Sequence, residues 1–246
     1  MEFTKKEITY LLVASIIAGF VFSFDEWGTE VFNLSVGLIN LLKAVILVLI
    51  IYTVHTFSQK LIAKKSSCDL EFDLITTEKI PLTHIIIPKG FKFTGPLITL
   101  IFSLVSNGKL IFVALASFKS KVNRKKRIGH QWTNLKDIEE ANIAAAGPVS
   151  NVCLLLIFKI LLPFSQSFFS KGMFIASSLA IFHMLPLPKY DGIKIWAGSR
   201  TLYIALFCLI ILVIAFTYLI NVLAAIILAL ILTIAITSFY FYSSNK

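Results

Sequence analysis

Apolar residues run through this chain in long blocks rather than in the one-sided stripes of water-soluble helices. A bilayer span needs about 20 mostly apolar residues. Blocks of that order cover 8–24, 35–62, 140–162, 172–187, 201–219 and 220–242. They predict six transmembrane helices, the last two joined with almost no connection, as in a helical hairpin. The first block follows Lys5 and Lys6 as in a signal peptide, but ends in Phe22-Ser23-Phe24-Asp25-Glu26-Trp27, with no small-residue cleavage site. It is expected to be a retained anchor.

Residues 97–118 are also long enough to cross, yet Ser106-Asn107-Gly108-Lys109 interrupts them. Asn-Gly between short β-branched apolar runs signals a tight hairpin. A hairpin in lipid would leave its edges unpaired, so the pattern predicts a small interfacial β-hairpin over 97–118. Basic residues gather at Lys5 and Lys6, Lys60 to Lys65, Lys119 to Arg127 and Lys189 to Arg200. Six crossings with a non-crossing hairpin put all of these on one side, as the positive-inside rule requires. Both termini are then cytoplasmic, and the acidic stretch 25–30 faces outward. The expected fold is an all-α, multi-pass integral membrane protein forming one polytopic domain over 1–246.

Composition agrees, with 57% hydrophobic and 15% charged residues against about 25% charged for soluble domains. Cys68, Cys153 and Cys208 are too few and too scattered for a disulfide framework or a C-x-x-C zinc site. The formal charge of +10 raises nucleic acid as a partner. In so apolar a chain, however, topology and contact with anionic lipid account for Lys and Arg, above all for Lys119 to Arg127. No nucleic-acid partner is expected. The hairpin beside that basic run offers a sharper reading, an edge strand presented to an extended partner.

Polar groups inside apolar blocks are costly, and so they are candidates for chemistry. His55, with Thr56, Ser58 and Gln59, forms a polar stripe near the end of the second block, positions 55 and 59 lying on one helix face. The plain reading is hydrogen bonding to neighbouring helices. His183-Met184-Leu185-Pro186-Leu187-Pro188-Lys189-Tyr190-Asp191-Gly192 closes the fourth block. Its two prolines force extended backbone, which membrane depth tolerates only around a cavity or inside protein. Asp191 then faces that region or caps a helix, and Gly192 permits a tight turn. Gly147-Pro148-Val149-Ser150-Asn151 opens the helix ladder and allows close approach of another helix.

In order and spacing, these segments resemble the site-2 protease family of intramembrane zinc metalloproteases, over about Val54 to Trp196. In that family the second helix carries H-E-x-x-H, a later span A-G-P-x-x-N, and the next N-x-x-P before an L-D-G turn whose Asp is the third zinc ligand. Val54-His55-Thr56-Phe57-Ser58-Gln59-Lys60 stands where the first motif belongs. Ala146-Gly147-Pro148-Val149-Ser150-Asn151 matches the second, and Pro186 with Asp191-Gly192 matches the third. The resemblance implies zinc on His55 and Asp191, with Asn151, Pro186 and Gly192 contacting a substrate or partner.

The departures concern the chemistry. Thr56 replaces the general-base Glu, Gln59 the second His, and His183 the Asn eight residues before the Asp. A hydroxyl does not take a proton near neutrality as a carboxylate does, and an amide is a poor zinc ligand beside imidazole. Zinc is therefore expected to be weakly held or absent, and no catalytic residue is assigned. A rearranged N/N/O site of His55, His183 and Asp191, with Gln59 beside them, stays open, since three protein ligands suffice for zinc. Glu71, Asp73 and His84 have no spacing that argues for ligation, and Glu139 and Glu140 suit a helix N-terminus. Three functions follow: an inactive protease-like scaffold binding a transmembrane protein or peptide, a metalloprotease with rearranged ligands, or a small transporter or channel subunit.

Overall fold

The computed structural model describes residues 3–28, 32–76, 93–122 and 135–244. The described residues are mostly helical: α1 (Lys5–Phe22), α2 (Leu34–Lys65), α3 (Thr94–Val105), α4 (Asp137–Leu161), α5 (Gln166–Met184), α6 (Asp191–Gly198), α7 (Arg200–Leu219) and α8 (Val222–Ser244). The strands β1 (Cys68–Leu74) and β2 (Ala116–Val122) form a two-stranded sheet. His84, the basic residues from Arg124 to Arg127 and the segment Ile128 to Trp132 lie outside the described residues.

α2, α4, α7 and α8 are long and apolar enough to cross a membrane, as in a multi-pass membrane protein. α1 and α5 are helices where spans were expected, but α1 begins with Lys5, Lys6 and Glu7, and α5 carries Gln166, Lys171 and His183. Their apolar stretches are correspondingly shorter. Among the described residues, therefore, four helices have crossing length and composition, and six crossings are not confirmed.

The hairpin expected over 97–118 is not formed, because α3 occupies its first half. The physical reason lies in Asn107 and Gly108, both left-handed, with φ of 50° and 75°. Consecutive left-handed residues suit a hairpin turn, but they also suit a helix terminus. Here Gly108 N–H donates to the Ser103 carbonyl (2.8 Å) and Asn107 N–H to that of Leu104 (3.1 Å), closing α3 with a Schellman motif. The sheet pairs β2 with β1 instead. In β1, buried Cys68, Leu70 and Phe72 alternate with exposed Asp69 and Glu71, the period of a half-buried strand.

The chain divides into two compact units, residues 1–53 with 71–119, and 54–70 with 120–246. In the first, α1 opens with a capping box in which Thr4 Oγ accepts from Glu7 N–H (3.2 Å) and the Glu7 carboxylate accepts from Thr4 N–H (2.8 Å). The same carboxylate accepts from Phe72 N–H of β1 at 2.9 Å, which ties the strand to the start of α1. α1 and α2 approach closely, since a Cβ on Gly19 would lie 2.5 Å from a Val45 methyl. In the second unit α4 packs against α5, α6 and α7, and α7 packs against α8. Residues such as Leu223, Ile227, Ile231 and Ile234 leave much of α8 exposed and apolar, as a lipid-facing helix would be.

Glu7 is 1% exposed. Glu7→Ala strips acceptors from Thr4 and Phe72, and an unmade buried hydrogen bond costs roughly 1–3 kcal/mol. A lower unfolding temperature in detergent, with α8 substitutions such as Leu223→Ala nearly neutral by comparison, is the expected outcome.

Candidate functional site

The second unit gathers the polar residues that interrupt its apolar helices. α2 supplies His55, Thr56 and Gln59, α4 supplies Asn151, α5 supplies His183, and Asp191 is the first residue of α6. All six are buried.

The break after α5 places Asp191. Pro186 and Pro188 have no N–H to return to the carbonyls of Phe182 and Met184, so α5 ends at Met184. The Phe182 carbonyl accepts from Leu185 N–H (3.1 Å), and the Tyr203 hydroxyl of α7 donates to the Met184 carbonyl (3.0 Å). Lys189 takes the left-handed conformation that reverses the chain, with φ of 71°. Gly192, expected to serve the turn, serves close approach instead. A Cβ there would lie 2.2 Å from the Met184 carbonyl oxygen, so α6 starts directly against the end of α5. This reversal brings Asp191 back onto His183.

The resulting geometry centres on one carboxylate. Asp191 Oδ2 lies 2.9 Å from His183 Nδ1 and 3.1 Å from His55 Nε2. The Gln59 amide donates to Oδ1 at 3.1 Å. His55 Nδ1 meets Asn151 Oδ1 at 3.3 Å, and the two imidazole rings lie 4.3 Å apart between centroids. Burial pushes the Asp191 carboxyl upward, but the hydrogen bonds with His183 and His55 outweigh it and hold the group below the ordinary carboxylate range. Asp191 is therefore the meeting point of three side chains, not a simple helix cap. Nearby Lys194 forms a pair with Glu140 (3.5 Å), and burial pulls its ammonium below the ordinary lysine range.

The structure thus joins His55, Gln59, His183, Asn151 and Asp191. His55 Nε2, His183 Nδ1 and Asp191 Oδ2 are near enough to share a metal ion, since every pair of potential ligand atoms lies within 4.8 Å. Bonds of about 2.0–2.2 Å from zinc to nitrogen and oxygen make such spacing compatible with one ion. Thr56 Oγ finds no partner among the described residues, nor does Asn151 Nδ2. Pro186 is exposed, while Gly192 is buried. Glu71 and Asp73 stay on β1, where Asp73 pairs with Lys119 and holds that ammonium above its ordinary range. Glu139 caps α4 by accepting from Lys136 N–H at 2.9 Å, as its position suggested.

Gly147 turns out to matter as much as the ionisable groups. A Cβ at this position would lie 2.3 Å from His55 Nε2 and 2.7 Å from Gln59 Nε2. Gly147-Pro148 therefore packs α4 against the polar face of α2 and leaves room for the His55 ring. Beside this face, Val54, Ser58, Leu61 and Ile62 of α2 and Ala146, Val149 and Cys153 of α4 line a largely apolar groove of about 490 Å³.

Gly147→Ala should displace the His55 ring or separate the two helices. Overpacking of this kind costs about 1–3 kcal/mol. The expected result is a clear fall in unfolding temperature in detergent that Ala146→Ser, on the groove side, does not reproduce. No family model, curated protein or solved structure matches the chain, so its functional reading rests on this geometry and on the motifs that build it.

Proposed function

We propose that this chain is a site-2-protease-like integral membrane protein that has lost proteolysis and binds a transmembrane partner helix. The observation that carries the reading is the state of the position after His55. A protease of this kind needs a carboxylate there to take a proton from the attacking water. Thr56 offers a buried hydroxyl without a partner among the described residues. Asp191, the carboxylate that does reach the site, is engaged by His55, His183 and Gln59. The working-protease alternative therefore has no base among the described residues of the cluster.

Partner binding is supported by the groove between α2 and α4. Its lining carries no charged side chain, and the small residues Ala145, Ala146, Ser150 and Cys153 recur along one face of α4. Small side chains let a second helix backbone approach closely in lipid, where packing drives association. An apolar transmembrane helix is the occupant that this lining suits. Six crossings, with α1 and α5 completing the bundle, would keep the basic clusters and both termini in the cytoplasm. Lys119 to Arg127 would then lie against anionic headgroups.

The test uses the full chain in lipid nanodiscs with a labelled synthetic transmembrane peptide whose centre contains Gly and Pro. Energy transfer should report binding, and the peptide should remain intact with or without added zinc. Val149→Trp, which fills the groove, should weaken binding about tenfold, equivalent to roughly 1.4 kcal/mol. Cleavage by the wild-type chain would overturn the loss of proteolysis, and binding indifferent to Val149→Trp would overturn the groove.

A further inference from the structure

We infer that the helix received by the α2–α4 groove carries one side-chain amide, Asn or Gln, set opposite Asn142, and is otherwise apolar with small residues on its contacting face. The inference rests on the groove reading above and names the occupant. It starts from Asn142, which lines the groove, is exposed, and finds no partner among the described residues. The neighbouring polar side chains are already engaged. Ser150 donates to the Gly147 carbonyl at 2.7 Å, the Gln59 amide donates to Asp191, and Asn151 meets His55. Ser58 lines the facing helix, but a serine hydroxyl is able to turn back to the carbonyl one turn earlier in its own helix. An amide with two donors and an acceptor has no such return.

α4 is long and apolar enough to cross a membrane, and hydrocarbon supplies no hydrogen bond to an open amide. The partner must therefore bring one. Two facing amides each donate and accept, so the pair closes two hydrogen bonds. A lone hydroxyl meets only part of the group, and a charged side chain would enter a lining that holds no counter-charge. A lipid acyl chain fills the same volume and leaves Asn142 unmet. Among apolar contacts, a single polar residue also fixes the register of paired helices. Asn142 stands about 7–8 Å along α4 from Asp137, so the partner's amide belongs between the end and the middle of its span. Ala145 and Ala146 follow one turn further on, where small partner residues allow close approach.

The groove also holds its own depth marker. Cys153 is an exposed free thiol in the lining, about 16 Å further along α4 than Asn142. The test uses the full chain in lipid nanodiscs with two labelled synthetic peptides of Leu and Ala, identical except for one Asn or one Leu at the level of Asn142. Each carries a cysteine about three turns further along the same face. Energy transfer should show the Asn peptide binding about three- to tenfold more tightly than its Leu counterpart. Asn142→Leu should abolish that preference, and since Asn142 is exposed and unpartnered the variant should unfold at the same temperature as the wild type. On addition of an oxidant, the Asn peptide should cross-link to Cys153 only with its cysteine at the matching depth. The Leu peptide should cross-link without that selectivity.

Equal binding of the two peptides by the wild-type chain would overturn the inference, and this comparison needs no variant to fold. If Val149→Trp then weakens both peptides alike, the groove reading stands and the amide alone falls. An Asn preference that persists in Asn142→Leu also overturns the pairing, and binding indifferent to Val149→Trp overturns the groove and the amide together. A Cys153–Cys153 cross-link between two chains in the absence of peptide would show a second copy on this face and overturn the inference as well.

Discussion

A carboxylate removed from water is stable only where donors converge on it, because burial penalises the charged form by several kcal/mol. Asp191 is 2% exposed, and the groups that meet it come from α2 and α5. This one requirement accounts for much of the second unit. The chain must reverse after α5 to bring residue 191 back over residue 183, which explains the two prolines and the left-handed Lys189. α6 must begin hard against α5, which excludes a side chain at residue 192. α2 must bring His55 and Gln59 to the same place, and α4 can pack over them only with a glycine at residue 147. The carbonyl freed by Pro188 is recovered by Tyr203 on α7, so that helix too is tied to the arrangement.

The polar residues were visible in the sequence because each stands against an apolar background. His55 and Gln59 share a face at a spacing of four, and Asp191-Gly192 follows a double-proline break; both features survive in the structure. His183 was harder to place. Eight residues separate it from Asp191, about 12 Å along a continuous helix, and only the reversal at residues 185–190 turns that separation into a contact of 2.9 Å. Where a broken helix leads is set by packing against other elements, which a local pattern does not record. Gly147 was legible as a packing residue, but what it packs against was not.

The failure over 97–118 has a different cause. Local conformation was read correctly, since Asn107 and Gly108 do adopt consecutive left-handed backbones. That pair satisfies two geometries equally well, a hairpin turn and the end of a helix, and the flanking apolar residues do not discriminate between them. β1 escaped notice because its seven residues contain three carboxylates. The burial of one of them depends on Lys119, far along the chain in β2. Glu7 is similar: the capping pattern with Thr4 is local, whereas its bond to Phe72 belongs to the tertiary fold.

Charge balance ties the departures from the protease pattern together. A glutamate in place of Thr56 would set a second buried carboxylate near Asp191, and two like charges in a dry site are tolerated only beside a strong cation. With Thr56 and Gln59 the polar cluster holds one carboxyl group, that of Asp191, and Gln59 donates a hydrogen bond to it four residues after His55. The two replacements therefore act in the same direction. Thr56 adds no charge beside the buried carboxylate, and Gln59 satisfies Asp191 with a hydrogen bond. His183 adds a ring on the opposite side of the carboxylate, at a distance that suits either a proton or a metal ion. The carboxylate at the centre is thus met by donors without a second anion beside it, and Gly147 is what lets α4 pack over that arrangement.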